Sequence, residues 1–80
     1  MLIFDQFPDR SKAEAFAQKV RDDYQRTAHV CDSQEESNVI DIFPFELFPP
    51  IVLVSRNDDC SGETVIEILA THFGGSFAGT

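Results

Sequence analysis

Four places in the 80-residue chain combine residue types that could do chemistry. The first is Asn57-Asp58-Asp59-Cys60-Ser61-Gly62, which opens like a calcium-binding loop: positions one, three and five carry side-chain oxygens and position six is Gly. Such a loop needs a bidentate carboxylate at position twelve, and here Ile68 stands there, so the stretch reads as a capped turn. The second is His29-x-Cys31. In a strand the two side chains share a face, which suits a Cys-His nucleophile or a shared cation. The spacing is shorter than in the common zinc motifs, and Cys60 and His72 lie far away in sequence, so ordinary sheet residues are the simpler reading.

The third is Gly74-Gly75-Ser76-Phe77-Ala78-Gly79. A phosphate cradle precedes a helix N-terminus, whereas this stretch follows a predicted helix. The fourth is the carboxylate pairs Glu35-Glu36 and Asp58-Asp59. They fall in polar loops, with no apolar pocket in the sequence around them to raise a pKa. No catalytic residue, metal ligand or cofactor follows from these patterns, and the expectation is a protein that is not an enzyme.

Charge is the stronger signal. The net charge is −8, and it is unevenly spread. Residues 8–26 hold five bases (Arg10, Lys12, Lys19, Arg21, Arg26) and four acids, a net of +1. Residues 27–80 hold nine acids and only Arg56 as a base, a net of −8. Phosphate backbones would be repelled by such a chain, which argues against direct DNA or RNA binding. A basic protein surface is the partner that the charge favours, although the same acids also keep a small protein soluble.

The elements that must position these residues follow from pattern. Met1–Phe7 is short, β-prone and halted by Pro8. Ser11 and Glu14 form a capping-box pair. Beyond them Ala13, Phe16, Ala17, Val20 and Tyr24 recur at three- and four-residue steps, which predicts a helix with one apolar face. Lys19 with Asp23, and Asp22 with Arg26, are predicted ion pairs on its outer side. Thr27–Asp32 reads as a second strand, with Ala28 and Val30 on one face and His29 and Cys31 on the other. Ser33–Asn38 is a polar, acidic loop. Val39–Pro50 is apolar but broken by three prolines, which predicts a short strand at 39–43 or an ordered loop lying across the sheet.

The β-branched run Ile51–Arg56 predicts a strand buried on both faces. Ser61 is placed to cap a second helix with core residues Ile66, Leu69, Ala70 and Phe73, widened by Val65 and Ile68 and stopped at Gly74. A last short strand would carry Phe77. The order β-α-β-(β)-β-α-β predicts one α+β domain over 1–80. Its expected fold is a ferredoxin-like βαββαβ sandwich: an antiparallel sheet with two helices on one face and the other face open for binding or dimerisation.

No apolar run approaches the length of a membrane span, and the N-terminus lacks a basic segment followed by an apolar stretch. Cys31 and Cys60 read as reduced thiols of a cytoplasmic protein.

Two candidate contact surfaces result. One is acidic: Asp32, Glu35, Glu36, Asp41, Glu46, Asp58, Asp59 and Glu63. The other is apolar: Phe43, Phe45 and Phe48, which either plug the core or serve a partner or a second copy, because aromatic side chains are costly to leave in water and dominate interfaces.

A short, acidic single domain bearing those eight carboxylates resembles the small phage-encoded anti-CRISPR proteins, which block bacterial defence complexes. The resemblance implies an inhibitor of a nucleic-acid-binding complex that presents carboxylates where DNA phosphates would sit. The alternative reading is a ferredoxin-like homodimeric scaffold or regulatory subunit, binding through its open sheet face or the Phe43–Phe48 segment.

Overall fold

The computed structural model describes residues 1–32, 46–56 and 62–79. Six elements follow one another: β1 (Leu2–Asp5), α1 (Arg10–Tyr24), β2 (Ala28–Cys31), β3 (Ile51–Val54), α2 (Glu63–His72) and β4 (Ser76–Gly79). The strands form one four-stranded sheet in the order β2-β3-β1-β4, and each neighbouring pair is antiparallel. The chain is therefore α+β, as the pattern predicts. No helix among the described residues is long and apolar enough to cross a membrane.

Alternation along the strands divides the apolar residues between two cores. Leu2 and Phe4 of β1, Ala28 and Val30 of β2, and Val52 and Val54 of β3 gather with Ala13, Phe16, Ala17 and Val20 of α1 and Ile66 and Ala70 of α2. Both helices thus cover the same face. Aromatic rings fill the middle of this core. Phe16 meets Phe4 edge-on at 5.1 Å, stacks on Phe7 at 5.4 Å and reaches Phe73 at 6.3 Å, while Phe4 also meets Phe77 at 5.5 Å. The alternate strand residues Ile3, Cys31 and Ile51 form a second, smaller core on the far face with Leu47, which is 4% exposed.

Several local expectations change. The cap of α1 is Asp9, whose carboxylate accepts from the Lys12 amide at 2.8 Å, so Ser11 lies inside the first turn. Asp9 immediately follows Pro8 and has the extended backbone a cap requires. Glu14, relieved of a capping role, pairs with Arg10 one turn away at 3.0 Å. Lys19 and Asp23 do pair, at 2.7 Å. Asp22 instead accepts from Gln18 at 2.9 Å. The helix has ended by Gln25, in left-handed backbone (φ 53°), and Arg26 beyond it donates to the Ser55 carbonyl at 3.4 Å.

In α2, Val65 and Ile68 do not widen the core. They are exposed, Ile68 at 66%, because Ile66 and Ala70, with Leu69 and Phe73 partly buried, already fill the space over the sheet. Ser61 lies outside the described residues, and Gly62 stands at the N-cap. The C-terminal stop at Gly74 is as predicted. Its φ of +86° lets the Gly74 and Gly75 amides turn back onto the carbonyls of Thr71 and Ala70 at 3.0 and 2.9 Å. Gly75 is also required sterically, since a β-carbon there would collide with the Phe7 ring.

Candidate partner-binding surface

Three of the contact residues expected from sequence fall at one end of the sheet. β1 ends at Asp5 where β3 begins with Ile51 and β2 ends with Cys31, because both β1 and β2 run antiparallel to β3. Asp32 follows Cys31 directly, and Glu46 and Phe48 lie in the segment leading into Ile51. Glu63 is elsewhere: it opens α2 at the opposite end of the sheet, beyond the finish of β3. Glu35, Glu36, Asp41, Phe43, Phe45, Asp58 and Asp59 lie outside the described residues, as do Cys60 and the first five positions of the calcium-like stretch.

The acids and bases of the surface are extensively paired. Arg10, from the start of α1, donates to Asp32 as well as to Glu14. The bond to Asp32 is the main reason its guanidinium is held above the usual range. Arg56 donates to Glu63 at 2.7 Å. Lys19 is raised above the usual ammonium range, first by its hydrogen bond to Asp23 and then by that carboxylate's charge. Arg21 turns its Nε and Nη2 onto the Ala28 carbonyl at 3.1 and 2.6 Å, tying α1 to β2. Five of the six bases therefore have partners within the chain (Arg10, Lys19, Arg21, Arg26 and Arg56), while Glu46 is exposed.

The segment Glu46–Phe48 is attached by its backbone. The Phe48 amide donates to Asp5 Oδ2 at 3.0 Å, and the Phe48 carbonyl accepts from the Gln6 amide at 3.1 Å. Asp5 is only 3% exposed, and Gln6 has a φ of +64°, a conformation side chains other than glycine seldom adopt. Leu47 points into the second core, while Phe48 is 56% exposed. The face away from the helices is thus occupied at Ile3, Cys31 and Ile51, where the sequence pattern predicts an open surface. His29 is exposed and Cys31 buried, so the two do not present a shared reactive pair at the surface. Among the described residues no three of His, Cys, Asp and Glu converge as a cation site.

Reading the sequence for chemistry misses Asp5. There it is simply one residue of a predicted strand, and its single sequence signal is a carboxylate within an otherwise apolar β-run.

The chain matches no known protein family, no curated protein and no solved structure.

Proposed function

We propose that this chain is a ferredoxin-like binding protein that docks on a basic protein surface and blocks a nucleic-acid-binding complex, in the manner of an anti-CRISPR inhibitor. The topology supports the fold: βαββαβ element order, a β4-β1-β3-β2 sheet with antiparallel neighbours, and both helices on one face. The observation that carries the functional reading is the disposition of charge. The net charge is −8, and most of the bases are turned onto the chain's own carboxylates and carbonyls. Carboxylates therefore dominate what an approaching molecule meets, and a surface rich in Arg and Lys is its electrostatic complement. A surface built to hold DNA has that character.

The alternative, a homodimeric scaffold, has less room on the sheet than the sequence suggests, because Leu47 already packs against the second face.

The test is capture of bacterial DNA-binding complexes on the immobilised protein at low salt, followed by elution with rising salt and competition with duplex DNA. Capture should weaken with salt, yield to DNA, and be lost when Glu35, Glu36, Asp58 and Asp59 are all changed to Lys. Binding that survives the four reversals, or that ignores salt, would overturn the reading.

A further inference from the structure

Phe48 combines two properties that seldom coincide in a loop: an exposed ring and a backbone tied at both of its polar groups. Its amide is held by Asp5 and its carbonyl by the Gln6 amide, at the end of a central strand. Leu47, one residue before, is buried in the second core, so the chain is anchored on that side as well. The ring of Phe48 remains in water at 56% exposure, which is costly for a side chain that could have been polar.

Asp5 is equally unexpected. Burying a carboxylate in a strand whose other members are Leu2, Ile3 and Phe4 is unfavourable unless the group receives a hydrogen bond. The donor it meets is the Phe48 amide, 43 residues along the chain.

We propose that Phe48 is the apolar anchor of the docking surface, that Asp5 is the residue positioning it, and that the partner offers an apolar pocket rimmed by Arg or Lys. This rests on the basic-partner reading above and extends it to the centre of the contact. An aromatic side chain whose backbone is already ordered loses less conformational entropy on docking, and such residues carry much of the binding energy in interfaces. The rim follows from charge: Glu46 is exposed two residues away on a chain of net charge −8, while Asp32, at the same end of the sheet, already receives Arg10. A pocket for Phe48 surrounded by cations meets both features.

The chain contains no tryptophan, so Phe48→Trp provides a single reporter at the site, and Ile68→Trp provides one on exposed α2 as a control. In the uncomplexed Phe48→Trp protein, the indole should show restricted motion by time-resolved anisotropy. Adding Asp5→Ala should release it, whereas Asp5→Asn, which retains an acceptor oxygen, should not.

Two synthetic peptides of equal positive charge serve as probes, one of Arg and Leu, the other of Arg and Ser. Both should bind at low salt. Only the Arg/Leu peptide should shift the emission of the Phe48→Trp protein to the blue and reduce its quenching by acrylamide several-fold. The Ile68→Trp control should be unaffected by either peptide. In the natural background, Phe48→Ala should weaken the Arg/Leu peptide by roughly tenfold or more, the loss of one aromatic anchor, and leave the Arg/Ser peptide unchanged. Asp5→Ala should add nothing further in a Phe48→Ala background.

Three results would each overturn the anchor proposal while leaving the basic-partner reading in place. One is equal quenching of the Phe48→Trp reporter with and without bound Arg/Leu peptide. Another is equal protection of the Ile68→Trp control. The third is unaltered motion of the indole at position 48 once Asp5→Ala is added. Failure of both peptides to bind at low salt would remove the basic-partner reading, and the anchor proposal with it.

Discussion

The two faces of the sheet are closed by different means. On one face, α1 and α2 lay apolar stripes over Leu2, Phe4, Val52 and Val54, and phenylalanine rings from separate parts of the chain meet Phe16 or Phe4. On the other, a short irregular segment inserts one leucine, Leu47, against Ile3, Cys31 and Ile51, and is held by two hydrogen bonds to the end of β1. The first is a core of repeating elements, in which each side chain is one of many on a helical or strand period. The second depends on individual contacts, and its outer residue, Phe48, is exposed. A fold of this kind can keep its stability on one face while the opposite face carries the docking feature proposed above.

Substitutions measured by urea denaturation can break that comparison. The largest effect is expected from Phe16→Ala, which removes the ring at the centre of the aromatic group and should cost about 3–5 kcal/mol. Leu47→Ala should cost about 2–3 kcal/mol, the lower part of the range for a buried leucine, because its core is smaller. If it cost nothing, the second face would not be a core at all. Asp9→Ala removes the cap of α1 and should cost about 1 kcal/mol, whereas Ser11→Ala should be near neutral. The reverse ranking would restore the capping box to Ser11.

Ile68→Lys should change stability by less than about 0.5 kcal/mol, as expected for an exposed position. The smallest effect belongs to Lys19→Gln, and its pH dependence is the informative part. Because the folded-state pKa of Lys19 is raised, the stability it contributes is fully present below the unfolded pKa and is lost as pH rises through the folded value. The natural protein and Lys19→Gln should therefore differ slightly at neutral pH and converge in alkali, a difference readable from paired urea titrations.

Much of the helix-side core is legible in the sequence because periodicity encodes it. Spacing alone puts Ala13, Phe16, Ala17, Val20 and Tyr24 on one face; the first four are buried, whereas Tyr24, at the end of the helix, is exposed. Simple alternation separates Ala28 and Val30 from His29 and Cys31, which follows from strand geometry. The cap of α1 is not legible in the same way. Asp9 and Ser11, two residues apart, are both competent caps, and only the path of the chain after Pro8 selects between them. Val65 and Ile68 are ambiguous because apolar residues surround much of α2, so the sequence does not say which of them faces the sheet.

Part of the candidate surface is equally legible. Charge and aromatic content single out Asp32, Glu46 and Phe48, yet their meeting at one end of the sheet depends on strand order. Asp5 carries only the weak signal of a carboxylate in an apolar β-run, since its partner, the Phe48 amide, arrives from far along the chain.

By itself the sequence determined the α+β class, the location of every strand and helix described, and the acidic imbalance, because these follow from residue type and short-range spacing. The tertiary structure alone decided that Leu47 packs on the second face of the sheet, which carboxylates are held by arginines, and that the amide of an exposed phenylalanine donates to a buried aspartate. Those are contacts between residues distant in sequence, and no local preference of the chain specifies them.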